Sequence, residues 1–190
     1  MSSPDARVGI VVKVGGALLA NVEVLDAVLT AIAAAARARR LLVVPGGGPF
    51  ADAVRAVDGR IGLPATAAHW MAVLAMDQYA HLIAARLDGA TVVSYEREVP
   101  DAYRDGRVPV LAPSRWLREV DPLPHSWDVT SDSIAAWIAG RFGAPRLVLV
   151  KPPAAPADPV DSYFARALRP SVDAVIVAAD EIDALRRALR

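Results

Sequence analysis

Two lysines and two glycine-rich turns have the residue types and spacing that suit chemistry on phosphate. Lys13-Val14-Gly15-Gly16 and Pro45-Gly46-Gly47-Gly48-Pro49 each close a short apolar run and precede a helix-like stretch. Adjacent glycines let backbone N–H groups crowd around an anion, and a lysine beside them adds a point charge. A tight turn with a snorkelling lysine accounts equally for Lys13-Val14-Gly15-Gly16 taken alone; two glycine turns on neighbouring strands are more specific than one. Lys151 ends another apolar run, just before Pro152. The 21 basic residues are 19 arginines and only these two lysines, Lys13 and Lys151. A compact ammonium enters a phosphate cluster where a planar guanidinium does not fit. Thr130-Ser131-Asp132-Ser133 heads an apolar helical stretch. Such residues cap helices, and Asp132 could also orient an ammonium or hold Mg²⁺ through water.

The elements that must position these groups read as an alternation of strands and helices. After a loose start at Met1–Arg7, strands are expected at Val8–Val14, Leu41–Val44, Thr91–Ser94, Val108–Pro113, Arg146–Lys151 and Val172–Val177. The first two and Arg146–Lys151 are continuous apolar runs, the pattern of strands buried on both faces of a parallel sheet. Pro109 suits an edge strand or an interrupted ladder. Helices are expected at Ala17–Arg40, Phe50–Val57, Thr66–Leu87, Ser114–Glu119, Ile134–Phe142, Val160–Leu168 and Asp180–Leu189. Loops are expected at Asp58–Pro64, Asp121–Asp128 and Pro152–Pro159, with a polar irregular stretch from Glu96 to Gly106. Five or six strands alternating with helices predict a three-layer α/β/α sandwich, a mainly parallel sheet in one domain over residues 1–190. Both glycine turns then fall at the carboxyl edge of the sheet, where α/β proteins bind ligands. The Thr66–Leu87 helix is apolar nearly all round, so it belongs in a core or at a subunit contact. Its polar residues His69, Asp77 and Gln78 need partners there, and either other helices or a ligand can supply them.

Composition narrows the function classes. The chain has 190 residues, 54% of them hydrophobic, enough for a substantial core. Lys+Arg and Asp+Glu both number 21, and this balance argues against nucleic acid as the main partner. With no cysteine there is no thiolate nucleophile and no disulfide. No apolar run reaches the roughly 18 residues of a membrane helix, and the first residues lack a signal-peptide pattern. A cytoplasmic location is the expectation.

Taken together and in this order, the motifs resemble the amino acid kinase superfamily, which includes acetylglutamate, aspartate, uridylate and isopentenyl phosphate kinases. Lys13-Val14-Gly15-Gly16 is similar to its first-strand Lys-x-Gly-Gly, Pro45–Gly48 to its second glycine loop, and Thr130–Ala136 to the Thr-Thr-Asp-Thr-Ala-Ala helix start of uridylate kinases. Val108–Pro113 also fits the family pattern, and the likeness covers residues 8 to 151. Ala68–Ala72, Ala75–Tyr79 and Val160–Phe164 resemble most the branch of [5-(aminomethyl)furan-3-yl]methyl phosphate kinases of methanofuran-type cofactor biosynthesis.

The resemblance implies an ATP- and Mg²⁺-dependent transfer of the γ-phosphoryl to a small phosphorylated substrate, by a homodimer or higher homo-oligomer. It implies that Lys13, Asp132 and Lys151 are catalytic. Gly15, Gly16, Ser131 and Lys151 would hold ATP. Gly46, Gly47, Gly48, His69, Asp77, Gln78 and Trp127 would hold the acceptor. Asp77 or Glu96 is a candidate partner for an acceptor ammonium, and Trp70 or Trp127 for its ring. Mg²⁺ would be carried mainly by ATP oxygens. Where many members have an Asp-Gly-Val-Tyr-like segment, this chain has Pro152-Pro153-Ala154-Ala155-Pro156-Ala157, and the nucleotide-binding half is short. Two alternatives stay open: a weakly catalytic or inactive kinase-fold subunit that binds nucleotide, an oxyanion or a partner, and a kinase for another phosphate or a carboxylate.

Overall fold

The computed structural model describes residues 7–153 and 160–190. The six strands are β1 (Ile10–Val14), β2 (Leu41–Pro45), β3 (Ala90–Val93), β4 (Val108–Leu111), β5 (Arg146–Lys151) and β6 (Asp173–Ala178). They form one sheet in the order β3-β4-β2-β1-β5-β6, and every pairing is parallel. The helices are α1 (Val22–Ala36), α2 (Gly48–Ile61), α3 (Ala65–Arg86), α4 (Val99–Arg104), α5 (Ser114–Val120), α6 (Ser131–Phe142), α7 (Phe164–Ala167) and α8 (Ile182–Ala188).

The two-residue period of a strand separates two cores. Ile10, Val12 and Val14 pack with α1 and α8, while Val11 packs with α4, α5, α6 and α7. Lys13 therefore shares the α6 side with Val11. In β5, Leu147 and Leu149 also face α6, so Lys151 emerges on that same side. Since Lys13 pairs in register with Leu149, the two lysines project from adjacent strands on one face, two residues apart along β5.

Several boundaries differ from the sequence expectation for local reasons. The expected Ala17–Arg40 helix is divided: Gly16–Ala20 is a 3₁₀ turn, and α1 starts at Val22 because the Asn21 side chain accepts the Val24 N–H at 3.1 Å. Such a cap contributes about 1 kcal/mol. The Asp58–Pro64 loop is partly helical, because α2 continues to Ile61 before Gly62 turns it at φ 68°. Glu96–Gly106 is not irregular. The Glu98 carboxylate accepts the Ser94 N–H at 2.7 Å, and Val99 and Ala102 are buried, which folds the stretch into a 3₁₀ turn and α4. α6 starts at Ser131 rather than Ile134, and α7 is shorter than the expected Val160–Leu168. β4 is an inner strand, and Val43–Val110 is its one registered pair with β2. Of the two placements open to Pro109, the interrupted ladder is the one found. The Met1–Arg7 start and the Pro152–Pro159 loop lie mostly outside the described residues. No described helix is long and apolar enough to cross a membrane.

Candidate functional site

The glycine turns after β1 and β2 meet at the carboxyl edge of the sheet. The Gly15 N–H donates to Val150 O at 2.9 Å, and the Gly46 N–H donates to Val14 O at 2.8 Å. The buried Tyr79 hydroxyl of α3 donates to Gly15 O at 3.3 Å. A Cβ on Gly16 would lie 2.0 Å from the Gly48 nitrogen, so the turns touch backbone to backbone. Gly48 itself has φ 54°, a conformation that glycine tolerates best. Gly47 and Gly48 open α2, where the first N–H groups have no acceptor within the helix.

Beneath the turns lies a buried charge cluster. Lys13 Nζ is 2.8 Å from Asp132 Oδ1, and Lys151 Nζ is 2.5 Å from Asp132 Oδ2. Asp132 stands in the first turn of α6, where the helix dipole favours a carboxylate. Burial pushes its pKa up, but the two ammonium groups outweigh burial and hold it below the ordinary carboxylate value. Burial is the largest influence on Lys13 and lowers its pKa; Lys151 adds to this and Asp132 opposes it. The cluster carries two positive charges against one negative, an excess of one beside the glycine N–H groups.

From there a cavity of about 560 Å³ runs between α2 and α3. Its near end is lined by Lys13, Gly15, Gly16, Gly47, Gly48, Ser131, Asp132 and Lys151, and its far end by Asp52, Arg55, Asp58, His69, His125 and Trp127. Ala68, Ala72, Val73 and Met76 form the α3 wall, and the small side chains leave the room. The Trp127 indole donates to Asp58 at 2.6 Å, and the Leu63 N–H donates to the other Asp58 oxygen at 2.7 Å. These two bonds, the indole first, hold the Asp58 pKa below its ordinary value. The Arg55 guanidinium lies 4.8 Å from the Trp127 ring. His69 stacks on His125 with ring centres 4.3 Å apart. Burial and then His125 lower its pKa to about 4, so it is a neutral imidazole at pH 7.

Of the residues singled out in the sequence, ten line this cavity: Lys13, Gly15, Gly16, Gly47, Gly48, His69, Trp127, Ser131, Asp132 and Lys151. Gly46 supports the turn through its bond to Val14 and is not in the lining. Asp77 accepts the Ser114 N–H at 3.0 Å and also the Ser114 hydroxyl, which anchors α5. Burial raises its pKa, with the Ser114 bonds opposing. Gln78 is exposed on α3, outside the lining. Glu96 pairs with Arg141 at 2.9 Å, outside the cavity. Trp70 meets His69 and His125 edge-on but is not in the lining. Asp52, Arg55, Asp58 and His125 were not among the candidates. Asp161 was not either, although its carboxylate bonds Thr130 and Ser133 on both sides of Asp132. Carboxylates 29 residues downstream or on an exposed helix face leave no local spacing to read.

Comparison with known proteins agrees with the fold. Residues 9–152 match the model of the amino acid kinase family. Over 130 residues the chain is 29% identical to the [5-(aminomethyl)furan-3-yl]methyl phosphate kinase of Methanocaldococcus jannaschii, covering 67% of this chain and 58% of that protein. The chain thus spans just under three fifths of the length of that relative. The fold is similar to uridylate kinase from Archaeoglobus fulgidus, with TM-score 0.69, 17% identity, and 94% and 95% of the two chains covered. It is also similar to UMP kinase from Bacillus anthracis, with TM-score 0.68, 13% identity, and 95% and 91% covered.

Proposed function

The chain belongs to the amino acid kinase family, and from that premise we propose that it transfers the γ-phosphoryl of ATP to a phosphate monoester, an aminomethylfuran-methyl phosphate as for its Methanocaldococcus jannaschii relative. The observation that carries the reading is the pair of buried ammonium groups held by one carboxylate beside two glycine turns. Phosphoryl transfer spreads negative charge over equatorial oxygens, and catalysis consists mainly of positioning and charge stabilisation.

In this reading an oxygen of the acceptor phosphate forms the new bond to the γ-phosphorus as the bond to the β-phosphate oxygen breaks. ADP leaves, and a diphosphate is the product. The acceptor oxygen is already anionic, so no side chain has to remove a proton. Lys13 bridges donor and acceptor phosphates, and Lys151 meets the β/γ-phosphates. Gly15, Gly16 and Ser131 receive ATP, Gly47 and Gly48 receive the acceptor phosphate while Gly46 braces their turn, and Asp132 holds and aims both ammonium groups. Both Asp132 oxygens already face ammonium groups, and no cluster of three acidic or histidine side chains among the described residues suits a metal. Mg²⁺ would be carried mainly by ATP oxygens, where it would neutralise phosphate charge.

The far end of the cavity reads the acceptor. An amine one small ring away from the phosphate finds Asp52, four residues or about 6 Å along α2 from Gly48, before Asp58, ten residues or about 15 Å along. The acceptor ring lies against the alanine wall of α3, with Trp127 beyond it. The cavity extends to Asp58, farther than a single five-membered ring with two one-carbon arms requires. That length supports, as a second reading, a larger phosphorylated acceptor. The whole chain works as one kinase-like domain, and copies pair through the exposed Met71 and Leu74 of α3.

Phosphorus NMR with Mg-ATP and aminomethylfuran-methyl phosphate tests the reading. A new diphosphate pair with stoichiometric ADP is expected. ATP binding without product, while a larger monoester is phosphorylated, moves the acceptor to the second reading. Neither product nor ATP binding refutes both and leaves a non-catalytic subunit.

A further inference from the structure

We infer that Asp161 is a positioning residue for phosphoryl transfer, closing the first turn of α6 so that Asp132 is fixed between the two ammonium groups. The inference rests on the phosphoryl-transfer reading given above.

α6 starts without a cap of its own. Thr130 occupies the cap position, yet its side chain bonds no N–H of the first turn. The Asp161 carboxylate supplies what is missing. Its Oδ2 accepts the Thr130 N–H at 2.9 Å, the Thr130 hydroxyl at 2.7 Å and the Ser133 N–H at 3.0 Å, while Oδ1 accepts the Ser133 hydroxyl. These four bonds fall on both sides of Asp132. A slip of one residue along α6 would swing the Asp132 side chain about 100° around the helix axis, and the clamp on Thr130 and Ser133 prevents it. The neighbouring residues are also tied down: the Ser162 hydroxyl donates to Asp128 Oδ1 at 3.1 Å, and the Tyr163 N–H donates to Asp128 O at 3.2 Å.

Asp161 also acts through charge. The charged groups acting on Lys13 are Asp132 from α6, Lys151 from β5 and Asp161 from the segment before α7. Burial and Lys151 lower the Lys13 pKa, and Asp132 and Asp161 raise it. Removing the Asp161 charge therefore moves Lys13 toward its neutral form. A purely structural cap would not have this effect.

The presence of only two lysines makes the test direct. Full-length protein labelled at lysine Cε gives two signals, which are assigned by the Lys151→Arg variant and titrated in the wild type, Asp161→Asn and Ser133→Ala. In Asp161→Asn the Lys13 midpoint is expected to fall and the alkaline limb of kcat to move to lower pH. kcat should drop by about a hundredfold, the scale on which an ångström of misplacement acts, with KM for ATP unchanged. Ser133→Ala keeps the charge and loses one clamp bond, so kcat falls less and the Lys13 midpoint stays. The inference is overturned if Asp161→Asn leaves kcat and both midpoints at wild-type values, or raises KM while the midpoints hold. If Asp161→Asn does not fold, an unchanged kcat in Ser133→Ala overturns it. Wild-type protein that shows no turnover with any phosphate monoester refutes the reaction instead, and the lysine titration then still decides whether Asp161 acts on Lys13.

Discussion

Lys13→Met and Asp132→Asn should both cut turnover steeply, yet only Asp132→Asn should cost much stability. The side chains of Lys13, Asp132 and Lys151 are 5%, 6% and 13% exposed, so none of the three charges is well hydrated. Lys13→Met leaves one carboxylate facing one ammonium at 2.5 Å and fills the space with an apolar chain of similar volume. Replacing a buried ion by a well-packed apolar group is often neutral or stabilising, so the melting temperature should stay within a few degrees of the wild type. Asp132→Asn leaves two ammonium groups with no counter-charge between them. Removing one partner of a buried pair costs about 3–5 kcal/mol. Lys13 can shed its proton and Lys151 can reach water, so about 3 kcal/mol is the better figure. In a chain of this size that lowers the melting temperature by roughly 6–12 °C. Losing a preorganised charge at the transition state costs on the order of 10²–10³ in kcat for either variant. Differential scanning calorimetry and coupled ADP release measure both quantities. If Lys13→Met is destabilised as much as Asp132→Asn, the charge count is wrong. If its kcat stays within tenfold of the wild type, Lys13 does not stabilise the transferring group.

Other outcomes follow from the same geometry. Because burial lowers the folded Lys13 pKa from its ordinary 10.5, the unfolded chain binds more protons between the two values. Stability should therefore rise with pH across that window, and the rise should vanish in Lys13→Met when unfolding is followed by urea titration at several pH values. Asp132, held below 3.8 when folded, contributes stability above that value which is lost as the pH falls through its folded pKa. Trp127→Ala removes the indole that bonds Asp58; KM for the acceptor should rise while calorimetric ATP affinity holds. Asp52→Asn should raise KM for an amine-bearing acceptor and leave an amine-free analogue unaffected. Leu74→Glu places a charge on the exposed stripe of α3 and should convert a dimer to a monomer in light scattering; a monomeric wild type would refute the pairing.

The near end of the site was legible because its signals are local. Apolar runs ending in lysine or glycine mark strands whose carboxyl ends converge in any parallel sheet, so Lys13, Lys151 and the glycines had to share one edge. Asp132 was readable as a helix-start carboxylate, but its contact with both lysines depends on α6 packing over β1 and β5. The far end was less legible. Asp77 and Gln78 stand on a helix with nearly uniform hydrophobicity, where no apolar stripe shows which side meets the cavity. The fold turns Asp77 toward Ser114 and leaves Gln78 in solvent. Asp58 looked like an ordinary surface acid because its partner, Trp127, sits on a loop 69 residues away, and Asp52 because its place in the cavity lining follows only from the packing of α2 against α3. Helix limits failed where a single side chain intervened: Asn21 starts one helix five residues late, and Glu98 folds a stretch whose composition reads as loop.

Mutual contact of the two glycine turns gives a last contrast, between Gly16→Ala and Gly59→Ala. A Cβ on Gly16 would sit 2.0 Å from the Gly48 nitrogen and 2.3 Å from its Cα. Both are backbone atoms, so no rotamer change relieves the clash. The second turn would have to retreat, and it is anchored by Gly46 to Val14 and followed at once by α2. Overpacking of this kind costs about 1–3 kcal/mol or more, and moving Gly48 also displaces the N–H groups proposed to hold the acceptor phosphate. Gly59 lies inside α2, and a Cβ there meets nothing within 4 Å. Alanine at that position removes backbone entropy from the unfolded chain and stabilises by about 0.5–1 kcal/mol. Chemical denaturation should therefore move the two midpoints in opposite directions, with phosphate-dependent turnover lost in Gly16→Ala alone. A Gly16→Ala protein with wild-type midpoint and turnover would mean that the turns need not touch, and the closeness of the glycines would then be unrelated to phosphate binding.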